Sequence, residues 1–392
     1  MIYLDNAATT VVSDDVLAAM EPYFKCSYGN ASSIYRLGRE SALALESARA
    51  KIASCFNCEA REIFFTGGGS ESDNWAIKSA ASLMLEQGKN HIVSTAFEHH
   101  AVLNVLETLG KNGFEVTYLP VHENGIIRLD ELLGALRENT SLVTIMYVNN
   151  EIGTIQPISE IGKICEDRGI LFHTDAVQAI GSVPIDVKAQ KIKMMSASGH
   201  KIHAMKGVGF LYIDKRIKLP AFIEGGAQER GMRAGTENVA GIMGLAAAVE
   251  HAKANMKNKN EKLTALKEKI IEGVLKMPHV RVNGCRKNSV PGIANFSISG
   301  VEGESLLLQL DLIDIAASSG SACTSGSLEP SHVLIALGLP HEVAHGSLRI
   351  SMSEYTTEAE IDSFLKELPP IVNKLRNMSP LWESMKTDKI NI

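Results

Sequence analysis

Long apolar runs are missing from this 392-residue sequence, and no stretch reaches the roughly 18 uncharged apolar residues that a membrane-spanning helix needs. The first ten residues, MIYLDNAATT, also lack the basic start and apolar centre of a secretory signal. We therefore expect a cytoplasmic protein that has no membrane partner.

Charge of one sign is not concentrated anywhere in the chain. Lys and Arg total 39, Asp and Glu total 45, and the net charge is −6. A nucleic-acid-binding surface normally shows a basic cluster, so we expect small soluble substrates and no nucleic acid. The apolar share of 45% is sufficient for a large packed core. At roughly 150 residues per domain, the length predicts two or three domains.

Cysteine is too sparse for a disulfide framework, and we expect reduced thiols. Cys55 and Cys58 have the spacing of half a zinc site, but no second pair accompanies them, so we predict no metal site. The six cysteines are Cys26, Cys55, Cys58, Cys165, Cys285 and Cys323.

Short apolar segments alternate with amphipathic ones between about residues 60 and 215. The apolar segments are rich in β-branched and aromatic residues, which is typical of buried strands. We predict strands over 62–66, 91–95, 115–119, 142–148, 170–174 and 208–213. Helical segments separate most of them, with Gly88, Gly113 and Gly169 placed as C-terminal stops. This alternation predicts an α/β fold with a mainly parallel sheet covered on both faces. An Ala-, Lys- and Glu-rich stretch over about 240–277 predicts long helices, which lead to a smaller α+β domain.

Polar residues with complementary chemistry follow two of the strands. Asp175 and Gln178 come after the strand at 170–174, and Ser198, His200 and Lys201 end a second strand. Ligands bind at the carboxyl ends of strands in such sheets. A lysine, an acid and a hydroxyl there suit pyridoxal 5'-phosphate: the amine forms a Schiff base, the acid keeps the pyridine nitrogen protonated, and the serine binds phosphate.

Three further segments are candidates for the same site, each with a simpler alternative. Gly69 and Ser70, in TGGGSESDN, open a helix and could bind phosphate, although glycine-rich turns before helices are common. His99 could stack on a cofactor ring or serve as an ordinary loop histidine. Asn150 could bind the cofactor or a substrate carboxylate, or simply build a turn.

Six motifs occur in one order along the chain: YLDNAATT, TGGGSESDN, NNEIGTIQ, HTDAVQ followed by SASGHK, RAGTEN (233–238) and SSGSACTSGSLEPS (318–331). With them the chain resembles the cysteine desulfurases, and the long cysteine loop resembles the nitrogenase-linked and housekeeping iron–sulfur-assembly group. The resemblance implies pyridoxal-phosphate fold type I, like aspartate aminotransferase. We predict a large cofactor-binding domain over 15–257 and a small domain formed by 1–14 and 258–392, which carries a mobile cysteine loop.

Residue roles follow from the resemblance position by position. Lys201 matches the Schiff-base lysine, which also moves protons on the substrate, and Asp175 matches the partner of the pyridinium nitrogen. Gln178 matches the hydrogen-bond donor to the ring hydroxyl, and His99 matches the stacking imidazole. The phosphate-binding positions are Gly69, Ser70, Ser198, His200 and, from a neighbouring subunit, Thr236. Asn150 and Arg349 match the groups that hold the substrate carboxylate.

Cys323, in a run of small residues, matches the catalytic thiol. It would take sulfur from L-cysteine as a persulfide, leave L-alanine, and pass the sulfur to an iron–sulfur scaffold or another acceptor protein. The family's members are homodimers. Selenocysteine lyase, or another pyridoxal phosphate lyase of β-substituted amino acids, is the main alternative function, and a non-catalytic scaffold-binding homologue is a second.

Overall fold

The computed structural model describes residues 1–320, 330–379 and 382. The strands in these residues are β1 (Ile2–Tyr3), β2 (Ile63–Thr66), β3 (His91–Thr95), β4 (Glu115–Leu119), β5 (Thr140–Thr144), β6 (Leu171–Asp175), β7 (Met194–Ser198), β8 (Gly209–Ile213), β9 (Val280–Val282), β10 (Ile293–Ile298), β11 (Ile315–Ala316) and β12 (Ser347–Ser351). The α-helices are α1 (Asp14–Met20), α2 (Pro22–Lys25), α3 (Arg36–Cys55), α4 (Gly69–Leu85), α5 (His100–Lys111), α6 (Leu129–Ala135), α7 (Ile158–Asp167), α8 (Val239–Val274), α9 (Gly303–Asp311), α10 (His332–Ala336), α11 (His341–His345) and α12 (Glu358–Met378).

A seven-stranded sheet, counted within the described residues, forms the centre of the molecule. Its strand order is β2-β8-β7-β6-β5-β3-β4. The neighbouring pairs from β7 to β4 are parallel, and β8 runs antiparallel to both β2 and β7. The predicted α/β architecture with a mainly parallel sheet is confirmed.

Both faces of the central sheet are buried. Successive strand residues point to opposite faces, so each strand contributes side chains to the apolar clusters on both sides. In β3, Ile92 packs in one apolar cluster with Trp75 of α4, and Val93 packs in another with Leu245 of α8. Such two-sided burial explains why the strands have continuous apolar runs rather than alternating ones.

Two smaller sheets and a third apolar cluster lie beyond the central sheet. β10 pairs antiparallel with β9 and β12, and β1 pairs in parallel with β11. The cluster includes Phe296 of β10 and Phe364 of α12. Helix α8 joins the cores, since Leu245 packs in the first and Ile270 in the third. Of the described helices, none is both long and apolar enough to cross a membrane.

Most predicted strands agree with the structure to within one residue, but the strand predicted over 142–148 is wrong in its bounds. β5 spans Thr140–Thr144 and stops before Met146. Beyond Thr144 the segment still donates to β6, through the backbone N–H of Tyr147 to the Asp175 oxygen, but the N–H of Met146 donates to both carboxylate oxygens of Glu98, at 3.0 Å each, instead of to a strand. The stretch over 240–277, predicted as several helices, contains the single 36-residue helix α8.

Candidate active site

A cavity of about 690 Å³ lies at the carboxyl ends of β6 and β7, beside the start of α4. This is the edge where parallel α/β sheets bind ligands. Ten of the twelve predicted site residues line it: Gly69, Ser70, His99, Asn150, Asp175, Gln178, Ser198, His200, Lys201 and Arg349. Residues from six separate segments of sequence therefore meet in one space.

Asp175 is the last residue of β6 and is buried. The backbone N–H of Val177 donates to its Oδ1 at 2.9 Å, which fixes the carboxyl group. Burial raises the pKa of Asp175 to about 6, and the Val177 N–H and the charge of Lys201 oppose that rise. A buried carboxylate at the wall of a cavity is well suited to pair with a positively charged ring nitrogen.

Lys201 ends a 3-10 turn over Gly199–Lys201 that directly follows β7. Its Nζ donates to the backbone oxygens of Ala7 at 2.7 Å and Ala8 at 2.8 Å. Gln178 Nε2 also donates to the Ala7 oxygen, at 2.9 Å. The N-terminal segment is therefore one wall of the cavity. These two carbonyl groups were not among the predicted site groups, although the YLDNAATT motif contains them.

The turn between β2 and α4 depends on glycine. Gly68 has φ 147° and ψ −174°, a conformation that is essentially reserved for glycine. A Cβ atom on Gly69 would lie 2.7 Å from Cγ2 of Val177, which is too close for a real contact. The first backbone N–H groups of α4 have no partner inside the helix, and Ser198 lies across from this turn. The arrangement is a cradle for an anion.

His99 precedes α5, and its Nδ1 accepts a hydrogen bond from the backbone N–H of Ala101 at 3.1 Å. The proton of the neutral ring is therefore on Nε2. Burial, and then the charge of Lys201, lower the pKa of His99 to about 4. Burial likewise lowers the pKa of His200 to about 4, and its Nδ1 lies 3.1 Å from the hydroxyl of Thr9. Both imidazoles are neutral at pH 7.

Arg349, in β12, brings a guanidinium group from the second sheet to the cavity. It is only 1% exposed, and it donates to the backbone oxygen of Asn150 at 3.1 Å and to Asp5 Oδ1 at 2.8 Å. Its Nε is buried and has no hydrogen-bond partner in the described part of the chain. The guanidinium can therefore donate a further hydrogen bond to an oxygen of a ligand at the cavity wall. Asp5 was not among the predicted site residues.

Two predicted site residues are not part of this cavity. Thr236 is exposed and lines a separate cavity of about 170 Å³, together with Gly67, Gly207 and Arg233. Cys323 and most of the predicted cysteine loop lie outside the described residues.

Comparison with known proteins identifies the family. Residues 2–364 match the family model described as aminotransferase class-V. The chain belongs to this family. Within it, a cysteine desulfurase IscS from Methanosarcina thermophila is 52% identical over 97% of this chain and 94% of its own length. A cysteine desulfurase IscS from Clostridium botulinum (strain Hall) is 50% identical over 99% of this chain and 98% of its own. A solved NifS-like protein is 37% identical, with a TM-score of 0.90, over 95% of this chain and 99% of its own.

These class-V relatives confirm the resemblance to cysteine desulfurases. The family assignment also accounts for the central sheet, since the solved relative superposes over nearly the whole chain. It does not by itself assign a role to any side chain, so the residue roles stay predictions that rest on the geometry of the cavity.

Proposed function

We propose that this chain is a pyridoxal-phosphate-dependent cysteine desulfurase, which converts L-cysteine to L-alanine and transfers the sulfur to Cys323. The names and similarity of its relatives support the activity. The observation that carries the proposal is that Asp175, Lys201 and Arg349 line one cavity, although Asp175 and Arg349 are 174 positions apart in the sequence.

The cavity fits pyridoxal phosphate in three respects. A buried carboxyl, Asp175, lies where a ring nitrogen needs an anion, and the Gly68–Gly69 turn leaves the close approach that a phosphate needs. Lys201 extends into the same space. When bound, the cofactor supplies an aldehyde that captures amines and a ring that withdraws electrons from the substrate Cα.

The chain's own groups then divide the work. Arg349 binds the substrate carboxylate through its fork of N–H donors, with Asn150 beside it. The Nζ of Lys201 takes the proton from the substrate Cα, since an amine is a strong enough base when released from the aldehyde. His99, a neutral imidazole in the cavity wall with its proton on Nε2, would stack on the ring.

Sulfur leaves the substrate by attack of the Cys323 thiolate on the substrate sulfur. The carbon–sulfur bond breaks, a sulfur–sulfur bond forms, and the electron pair of the broken bond stays with the carbon that becomes the alanine methyl group. L-Cysteine and the enzyme thiol thus give L-alanine and the enzyme persulfide, with no outside oxidant or reductant. An acceptor protein, which for this family group we expect to be an iron–sulfur scaffold, then takes the sulfur.

A homodimer is part of the proposal, because Thr236 does not line the cavity that contains Lys201 in its own chain but lines an adjoining one. The segment that carries it is firmly anchored: Glu229 accepts hydrogen bonds from Arg49 at 2.8 and 2.9 Å, and Arg233 donates to Glu71 at 2.7 Å. An exposed, anchored hydroxyl can serve the phosphate site of a second subunit. The cytoplasmic location stays a prediction.

The decisive experiment compares Cys323→Ala with Cys285→Ala, a control cysteine that is half-buried and lies elsewhere. Sulfide and alanine are measured after incubation with L-cysteine and a thiol reductant, and the visible absorbance reports bound cofactor. We expect Cys323→Ala to lose at least about 100-fold of both products while it keeps the cofactor. Cys285→Ala should match the unmodified protein. Unchanged sulfide release from Cys323→Ala would refute the persulfide route, and a cofactor-bound chain inactive on cysteine would favour selenocysteine as substrate.

A further inference from the structure

Asp73 is a buried carboxyl group to which the proposed reaction gives no role. It belongs to the second turn of α4 and lines the same cavity as Asp175. Its side chain is 1% exposed, and its Oδ1 has no hydrogen-bond partner in the described residues. Burial of a polar oxygen without a partner is costly, and more so if the oxygen is charged. The protonation state of Asp73 therefore matters for everything that shares this cavity.

The groups near Asp73 come from β5, β6 and β7, on which α4 packs, and from Glu98, which follows β3. His173 and Asp175 are two residues apart on β6, so both side chains point to the same face of the sheet. His173 Nε2 lies 3.6 Å from Asp73 Oδ1 and 2.9 Å from the hydroxyl of Ser196. Its Nδ1 lies 2.8 Å from the hydroxyl of Thr144. Burial lowers the pKa of His173 to about 3, so the ring is neutral and supplies no positive charge.

Asp73 and Asp175 differ in how far their surroundings stabilise the ionised form of the carboxyl group. Burial raises the pKa of Asp73 well above its usual value, the negative charge of Asp175 adds to that rise and Glu98 contributes further, while only the Ser196 hydroxyl opposes it. Asp175 has the backbone N–H of Val177 on its Oδ1 and is stabilised by the charge of Lys201. Two carboxyl groups that share a buried site do not both ionise, and the proton stays on the one with less compensation.

We propose that Asp73 is a neutral carboxylic acid in the working enzyme and acts as a positioning residue that leaves the charge of the pair on Asp175. The inference rests on the proposed function in one respect, the assignment of the cofactor's ring nitrogen to Asp175. As an acid, Asp73 can donate a hydrogen bond to the hydroxyl of Ser196 beside it. As an anion it would compete with Asp175 for the positive charge of the ring.

The first test is the pH dependence of stability in the cofactor-free protein. A carboxyl group with a raised folded-state pKa keeps a proton that the unfolded chain has lost, so the unfolding free energy falls as pH rises between the two pKa values. Asp73→Asn removes this titration. We expect the unfolding free energy of Asp73→Asn to fall less than that of the unmodified protein between about pH 5 and 8. An unchanged slope would overturn the inference.

A second readout does not depend on whether Asp73→Asn folds. Glu98→Gln combined with Glu151→Gln removes two other deeply buried acids whose pKa burial raises, that of Glu98 to about 8. Infrared spectra of that variant are recorded at about pH 8, well above the pKa of about 6 for Asp175. We expect the carbonyl band of a protonated carboxyl group to remain, because Asp73 still carries its proton. If the band is missing from this variant, Asp73 is ionised and the inference fails.

Cofactor affinity gives the third readout. An amide is neutral and can donate a hydrogen bond, so Asp73→Asn should bind pyridoxal phosphate within about threefold of the unmodified protein. Asp73→Leu, which is neutral but cannot donate, should bind about tenfold or more weakly. A large loss in Asp73→Asn would show that the negative charge itself is needed. None of the three readouts requires turnover of cysteine. A protein that releases no sulfur but keeps Asp73 protonated would therefore refute the proposed function and leave the inference about Asp73 intact.

Discussion

Single buried charges give the candidate site its chemistry. Asp175 and Arg349 come from different parts of the chain, and among the described residues only part of the hydrogen-bonding capacity of each is taken up by protein groups. For Arg349 this is explicit, since its Nε is buried without a partner among the described residues. A buried polar group without a partner costs free energy in the ligand-free protein. A ligand that supplies the missing hydrogen bond removes this cost, so such residues favour ligand binding.

Arg349→Lys tests that view of the guanidinium. Lysine keeps the positive charge but cannot hold Asp5, Asn150 and a carboxylate together, because it lacks the planar fork. We expect the KM for L-cysteine to rise at least about tenfold, while cofactor absorbance stays near normal. Steady-state kinetics with L-cysteine measures the effect.

Arg376→Lys is the matched control for this change. Arg376 is as deeply buried as Arg349, but it donates to the backbone oxygens of Ser299 and Pro278, in the small-sheet region. Its replacement should lower the unfolding temperature and leave the KM unchanged. Equal KM changes in both variants would mean that Arg349 acts through general stability rather than through substrate binding.

Secondary-structure elements were the best-predicted level of the molecule. Strands β3 and β4 have the predicted bounds, and Gly88, Gly113 and Gly169 follow α4, α5 and α7 with φ of 75°, 91° and 65°. These signals are local: buried strands need apolar runs, and left-handed helix ends favour glycine. β5 was misjudged because the N–H of Met146 is taken by Glu98, a side chain 48 residues away.

Contacts between distant segments were the part of the site that the sequence did not reveal. The bond from Lys201 to the Ala7 oxygen spans 194 positions, and the pair of Arg349 with Asp5 spans 344. Backbone carbonyl groups carry no residue signature, so the oxygens of Ala7 and Ala8 leave no pattern to find. Asp73 is similar, because a charged residue in a helix ordinarily indicates an exposed face.

Gly68→Ala tests the turn that opens α4. At φ 147° the added Cβ forces the backbone out of its conformation, which costs about 1–3 kcal/mol of unfolding free energy. We also expect weaker binding of pyridoxal phosphate, since the turn forms the anion cradle. Chemical denaturation and cofactor titration measure the two effects.

Gly88→Ala provides a comparison for the strain alone. Gly88 also has a positive φ, but nothing lies within 4 Å of an added Cβ and the residue is far from the cavity. It should cost about 1 kcal/mol and leave cofactor affinity unchanged. If both variants bound the cofactor equally well, the Gly68 turn would not be the phosphate site.

At the scale of the whole molecule, the main feature is that the two predicted domains are joined by a continuous helix and a shared apolar cluster. Helix α8 runs without interruption through residue 257, so the predicted domain boundary at 257/258 falls inside a helix and not in a linker. Val333 and Leu334, from the predicted small domain, pack in the same cluster as Val93 of the central sheet. The division into two domains stays a prediction. What the structure shows is that Arg349, in the sheet formed by β9, β10 and β12, lines the same cavity as Asp175 and Lys201 of the central-sheet region.

Mixed dimers can test whether sites are shared between subunits. In a homodimer of Thr236→Ala both sites lack the hydroxyl, and in a homodimer of Lys201→Ala both lack the amine. If Thr236 serves the partner's site, a dimer with one chain of each type contains one complete site, formed by the Lys201 of one protomer and the Thr236 of its partner. Loss of a hydrogen bond to a charged phosphate costs about 1.5–3 kcal/mol, so at limiting cofactor Thr236→Ala alone should be at least about tenfold weaker.

We therefore expect turnover of L-cysteine to recover when the two variants are co-expressed and the mixed dimer is purified with two different tags. Recovery to about half of the unmodified activity per dimer follows from one intact site in two. If Thr236 instead served its own chain, both sites of the mixed dimer would be defective and mixing would restore nothing. The exposure of Thr236 and the Arg49–Glu229 ion pair that anchors its segment favour the first result, because an exposed hydroxyl on an anchored segment is available to a neighbouring subunit.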